Sequence, residues 1–398
     1  MTPAERRAAG SLASIYGLRL IGMFVILPVF ALYAMGLPGG ASHTLIGVAL
    51  GAYGLTQAIL QIPFGWASDK WGRKPVIYMG LVIFAAGSFL AAWAPSIGWV
   101  IAGRCLQGAG AISAAVIALA ADLTRDAVRT RAMAIIGITI GGTFAASLVA
   151  GPVLKAWIGV PGIFALTGIL AIGATAVVRY AVPDPDDAST TRVVATGDVA
   201  RVIADTQLLR LNFGTFALHA VLMALFTQLP FALRDNGLDA DRHWIVYLPV
   251  LAVSLLLMLP FLRQVDRPLR GKPLMNGAVV ALLAAQVALA VSLHSLVALS
   301  IALTLFFAAL NLLEAMLPAL VSKCAPEAAR GAAIGINSTA QFLGAFVGAA
   351  AGGWLADYAG GTSVFVFGVA MSALWLAASA TMSAQPGVNR GKLSMGET

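Results

Sequence analysis

Charge is what this sequence has least of: 11% of its 398 residues are Asp, Glu, Lys or Arg, against roughly 25% in a soluble globular chain. Cysteine is almost as sparse, with Cys105 in an apolar run and Cys324 beside a short loop, which excludes a disulfide framework. The four histidines and two cysteines show no metal-ligand spacing, so no metal or other cofactor is expected. There is no G-x-x-x-x-G-K-[ST] loop for nucleotide phosphates, and no Ser, His and acid set arranged for nucleophilic catalysis. An enzyme is therefore not expected. The first long apolar run, near 13–35, exceeds a signal-peptide core and lacks a cleavage site, so it reads as a helix that stays.

What fills the chain instead is apolar sequence: 60% hydrophobic residues and a mean hydropathy of +0.89. Runs of about 20 apolar residues recur throughout, each long enough to cross a hydrocarbon core of about 30 Å as a helix. The runs are apolar on every face, unlike the alternating strands of a barrel, so the fold class is an all-α membrane protein. Twelve spans are expected, near 13–35, 44–67, 74–94, 97–122, 131–155 and 161–181, then 208–233, 243–262, 273–293, 296–320, 331–355 and 361–383. The polar stretch 183–206, with Asp184, Asp186, Asp187 and Arg192, separates them. The expected division is a six-helix bundle over 1–182, a cytoplasmic linker over 183–206 and a second bundle over 207–398.

The net charge of +8 points to orientation in a bilayer rather than to nucleic acid. Basic residues crowd the loops on the side of the amino terminus, from Arg6, Arg7, Lys70, Arg73 and Lys74 through Arg125, Arg129, Arg131, Arg192, Arg201 and Arg210. They continue with Arg263, Arg267, Arg270, Lys272, Lys323, Arg330, Arg390 and Lys392, whereas the other side carries Lys155, Arg234 and Arg242. Both termini are expected in the cytoplasm of a bacterial-type inner membrane. The halves also echo each other. Leu27-Pro28-Val29-Phe30 is matched by Leu229-Pro230-Phe231, and the loop Asp69–Pro75 by the loop Asp266–Pro273. Two similar halves around a midplane site is a transporter architecture.

Several motifs sharpen this. Gly65-Trp66-Ala67-Ser68-Asp69-Lys70-Trp71-Gly72-Arg73-Lys74 fills every defined position of G-x-x-x-D-x-x-G-R-K and so resembles the signature loop of the major facilitator superfamily. Physically, Gly65 permits close helix approach and Gly72 a tight turn. Asp69 can face a helix dipole, and Arg73 can pair with an acid such as Asp122. The resemblance implies that Gly65, Asp69, Gly72, Arg73, Lys74 and Asp122 form a cytoplasmic latch. The plain alternative is positive-inside charge at a turn.

Arg104-Cys105-Leu106-Gln107-Gly108 is similar to the superfamily's R-x-x-Q-G element, where the arginine assists proton movement or bonds carbonyls of the first span. Gly151-Pro152 resembles the antiporter element ending G-P-x-x-G-G, but Lys155-Ala156 replace its last glycines. Gly17–Phe24, Asn311–Ala315 with Leu317-Pro318, and Ser338–Gly344 resemble the YajR-like branch of the drug:proton antiporter group. That branch implies proton-coupled efflux of small amphiphilic molecules by a monomer in the lipid bilayer. Its soluble carboxy-terminal domain, and any regulation it supplies, is expected to be missing here.

Each ionisable side chain mid-span costs about 2.5–3.5 kcal/mol on insertion scales. The interior ones are Arg19, Arg104, His219 and Glu314, on spans 1, 4, 7 and 10, which the superfamily resemblance places around a central cavity. Glu314 is the one acid in the interior of a span. Burial without a full counter-charge favours its neutral form, which proton carriage requires. Asn311, three residues earlier, can hydrogen-bond it; a carboxylate tied to an arginine is the alternative. A histidine can change charge near neutral pH, so His219 is either a second coupling group or a satisfied helix-interface histidine. Arg19 either binds an anionic group or holds Glu314 or another acid, and a structural or proton-coupling role is expected of it ahead of direct substrate recognition. Gln57, Gln61, Asn337 and Gln341 line the cavity or join helices, and Phe30, Tyr33 and Tyr53 line it or simply pack. Besides proton-coupled export, a sugar or metabolite symporter or facilitator and a membrane sensor or scaffold remain open.

Overall fold

The computed structural model describes residues 1–183, 202–262, 264, 271–326 and 329–382. The expected linker residues Asp184, Asp186, Asp187, Arg192 and Arg201 lie outside them. So do Arg263, the loop Asp266–Arg270, Arg390, Lys392 and the side chain of Arg129.

Among the described residues there is helix and no strand. The helices are α1 (Pro3–Phe24), α2 (Leu27–Met35), α3 (His43–Trp71), α4 (Arg73–Ala92), α5 (Ile97–Ala109), α6 (Ser113–Asp122) and α7 (Asp126–Tyr180). There follow α8 (Thr206–Asp235), α9 (Trp244–Leu262), α10 (Gly271–Val291), α11 (Leu296–Cys324), α12 (Arg330–Ala359) and α13 (Thr362–Ala380). Among the described residues eleven continuous or kinked stretches are long and apolar enough to cross a membrane. One of them, within α7, is interrupted by a non-helical residue at Gly159 (φ 68°, ψ 173°) followed by Pro161. Split there it supplies two crossings, which gives the twelve spans read from hydropathy. A helix satisfies its own backbone groups without water, which is why every apolar run takes this form.

Two expected spans are each two helices. The first breaks between α1 and α2, where Pro28 lacks an N–H and its ring excludes the carbonyl four residues back. The fourth breaks at Gly110-Ala111-Ile112, between α5 and α6. The chain there presses against its neighbours: a Cβ on Gly108 would overlap the Tyr53 carbonyl of α3, and one on Gly110 the Gly80 carbonyl of α4. A window average of hydropathy passes over both breaks, because the residues in them are as apolar as those around them.

The chain forms two compact units. One comprises Met1–Arg192 with Phe226–Tyr247, and the other Val193–Leu225 with Leu248–Thr398. The second half of α8 and the turn after it thus pack with the first unit, a division that differs from a single cut at 183–206. Within that unit the Phe231 ring meets the His43 ring edge-on at 5.1 Å, and His243 is fully buried with Nε2 3.0 Å from the Leu238 carbonyl.

Candidate functional site

In the first unit the buried polar residues form two hydrogen-bonded groups, one around Arg19 and one around Arg104. Arg19 of α1 donates through Nη1 to Ser113 Oγ at 2.7 Å and through Nη2 to the Gln57 side-chain carbonyl. The Gln57 amide donates in turn to Gln61 Oε1 at 2.8 Å. Arg104 of α5 donates to Gln107 Oε1 at 2.9 Å and to the Leu50 carbonyl at 3.4 Å, and Gln107 donates to Ser88 Oγ at 2.8 Å. Arg19 therefore holds neutral oxygens in place of an acid, and the carbonyl that Arg104 reaches belongs to α3 rather than to the first span. The Tyr53 ring lies under both guanidiniums, 5.7 Å from that of Arg19 and 5.1 Å from that of Arg104. Phe30 is fully buried and packs edge-on against Phe164 at 6.5 Å, with Tyr33 tilted against it at 6.4 Å.

In the second unit the polar residues gather around His219 of α8. Its Nδ1 donates to the Thr215 carbonyl at 2.9 Å, an ordinary satisfaction of a helical histidine. Its Nε2 stands 2.8 Å from the Gln341 amide of α12 and 3.5 Å from Glu314 Oε2 of α11. Glu314 is 38% exposed while His219 is 8% exposed at the side chain, so the acid sits partly open beside an enclosed base. Asn311 turns to Ser254 Oγ of α9 at 3.3 Å instead of to Glu314. The two side chains leave α11 at a three-residue spacing, and the Ser254 hydroxyl is where Asn311 finds its acceptor. Asn337 donates to Asn212 Oδ1 and Thr215 Oγ1. Ser113, Ser88, Thr215, Asn212 and Ser254 were not singled out from sequence. A lone hydroxyl or amide in an apolar run was the available signal, and it does not reveal which partner is in reach.

The signature loop is compact. Gly72 takes φ +91°, a conformation that side chains disfavour, and joins α3 to α4 directly. Arg73 lies between Asp69, Ser68 Oγ (2.9 Å) and Asp122 Oδ2 (3.0 Å). Lys74 reaches the Val182 carbonyl after α7 at 2.7 Å. Gly65 does not serve close approach: a Cβ there would meet Ala114 Cβ at 3.5 Å, an ordinary contact with room for a methyl.

The Major Facilitator Superfamily model matches residues 12–239 and 211–395. The chain belongs to that superfamily. It is 43% identical over 395 residues to the inner membrane transport protein YajR of Escherichia coli (strain K12), covering 98% of this chain and 86% of that protein. It is 27% identical over 349 residues to the multidrug resistance protein MdtH of Aeromonas salmonicida (strain A449), covering 85% of each. Among solved structures it is similar to a bacterial homolog of the human lysosomal transporter Spinster in an inward-facing, occupied conformation. The TM-score is 0.78 at 15% identity, over 96% of this chain and 98% of that one. The protein is thus a multi-pass inner-membrane transporter of the superfamily, and not an enzyme.

Proposed function

We propose that this transporter exports small amphiphilic molecules in exchange for protons by alternating access, acting as a monomer with both termini in the cytoplasm. In this reading 1–182 and 207–398 act as the two moving bundles. The observation that carries it is the pairing of Glu314 with His219 at 3.5 Å. A carboxylate whose counter-group is itself a titratable base can exchange a proton within the membrane, where an arginine partner would keep it ionised. The likeness to a multidrug resistance protein supports the efflux direction. Arg73 with Asp69 and Asp122 supplies the latch, closing one side while the other is open. Phe30, Tyr33, Tyr53, Gln57, Asn311, Asn337 and Gln341 contribute the walls of the substrate path, and Arg19 and Arg104 its fixed positive charge.

The test uses proteoliposomes loaded with a pH-reporting dye and a panel of cationic, neutral and anionic amphiphiles under an imposed pH gradient. Substrate-dependent proton movement is expected from the wild type and absent from Glu314→Gln. Substrate movement without protons, equal in both proteins, would make this a facilitator and return Glu314 to a structural role.

A further inference from the structure

The first unit encloses two positive charges that no acid among the described residues meets. Arg19 and Arg104 are each 1% exposed. Among the described residues neither lies within ion-pair distance of a carboxylate. The acids of that unit that form ion pairs are committed elsewhere, Glu5 to Arg125, Asp69 and Asp122 to Arg73, and Asp235 to Arg234. Both guanidiniums lie against one ring, Tyr53, at 5.7 and 5.1 Å from its centroid, so two like charges are buried around a single side chain in a medium that screens poorly.

Their hydrogen bonding is also incomplete. A guanidinium offers five N–H donors. Arg19 and Arg104 each spend one bond per terminal nitrogen on neutral oxygens. Both Nε atoms are buried and bond nothing. A third positive element adjoins Arg19. Helix α6 starts at Ser113 with no side-chain cap, and Ser113 carries the hydroxyl that Arg19 grips. The start of a helix presents free N–H groups and the positive end of its dipole. Interrupted membrane helices use such ends to hold anionic substrate groups.

We propose that Arg19, Arg104 and the start of α6 form the recognition site for an oxyanionic headgroup, a carboxylate or sulfonate, on the transported amphiphile. The inference deepens the export function above by giving the substrate's charge, and rests on it for the carriage of an amphiphile. An anion answers each deficiency at once: it neutralises the paired cations, accepts from both free Nε–H groups and caps α6. A cationic headgroup would add a third like charge. The anion enters as the helices part, displacing Gln57 and Ser113 from Arg19.

The test is calorimetric titration of the full chain in nanodiscs, with empty nanodiscs as reference. The probes share one tail: 2-naphthoate, naphthalene-2-sulfonate and 2-naphthylmethylammonium. The two anions are expected to bind at least tenfold more tightly than the ammonium. Arg19→Gln and Arg104→Gln should each weaken the anions at least tenfold, and Arg19→Lys should retain the preference for anions. Should the arginine variants fail to fold, Gln57→Glu decides. It places a carboxylate against Arg19 from within, and is expected to leave the protein monodisperse while weakening anion binding at least tenfold.

Anions binding no more tightly than the ammonium, or wild-type anion affinity in Gln57→Glu, would overturn the proposal. Glu314→Gln is expected to keep anion binding. A failure of proton coupling therefore registers separately from a failure of anion recognition.

Discussion

In the first half Gly151 of α7 lies against the Val25 carbonyl at the end of α1, just past its last residue, and in the second Gly348 of α12 lies against the Ala220 carbonyl of α8. The same pairing of spans, fifth on first and eleventh on seventh, is made by the same device, a glycine that lets one helix touch another's backbone. The lysines repeat too. Lys74 before Pro75 reaches the Val182 carbonyl that follows α7. Lys272 before Pro273 reaches the Ala380 carbonyl at 2.9 Å and the Met382 carbonyl at 2.5 Å, at the end of α13. The interior chemistry does not repeat. One half holds two arginines on neutral oxygens, and the other a histidine beside an acid. The repeat thus governs how helices meet, while the buried charges belong to each half separately.

The largest effect expected from breaking this comparison is on folding. Gly151→Leu and Gly348→Leu force side chains into backbone already in contact, and overpacking of this kind costs about 1–3 kcal/mol or more. Both should lose the monodisperse peak in size-exclusion chromatography. Gly141→Leu, with no atom within 4 Å of its Cβ, should keep it. Equal behaviour of all three would remove the packing repeat.

Next comes chemistry. If the histidine–acid pair is specific to the second half, Glu314→Gln brings proton movement down to the level of empty liposomes. The same assay on Gln107→Leu, which strips Arg104 of its nearest acceptor, should leave coupling in place.

Acid probes the buried His243. His243, beyond the membrane spans, is held below its ordinary value of 6.5 by burial, with Lys155 adding to the shift and the Leu238 and Pro28 carbonyls and Asp241 opposing it. Its neutral form is the folded one, so the unfolded chain binds the extra proton. This part of the stability is complete above about pH 6.5 and falls as the pH drops toward the depressed folded value. Melting temperatures followed from pH 7.5 to 5 should show that loss in the wild type and less of it in His243→Gln.

The smallest effect concerns the lysines. Lys74→Gln and Lys272→Gln each remove a cation from the last carbonyls of a helix, an interaction of about 0.3–1 kcal/mol. Small and similar falls in melting temperature would support the repeat, and a large fall in only one would break it.

The spans were legible in sequence because each must be apolar over about 20 residues to cross at all. The turn at Gly72 and the reach of Arg73 to Asp122 were also legible, since both follow from spacing around a helix junction. The breaks at Pro28 and Gly110 were not drawn, although proline and clustered glycines were their signals, because interrupting a helix does not change its hydropathy. Partner choice was the least legible. That Asn311 meets Ser254 and Arg19 meets Gln57 depends on which helices adjoin, and residues 57 or 38 positions apart announce nothing to each other. Gly65 misled for the opposite reason: the motif gives the residue, while only the neighbour, Ala114, tells whether space is short.

One junction sets a mechanical limit. Spans five and six are two helices joined through one non-helical residue, Gly159, with helical geometry resuming on both sides. A loop would absorb a displacement of either span freely; one residue between two helices has only its own two backbone dihedrals with which to do so. Tilting the fifth span must therefore carry the sixth with it, so the two act as one V-shaped lever. An inserted tag or a protease site should be far less tolerated at this apex than in a loop such as Asn236–His243.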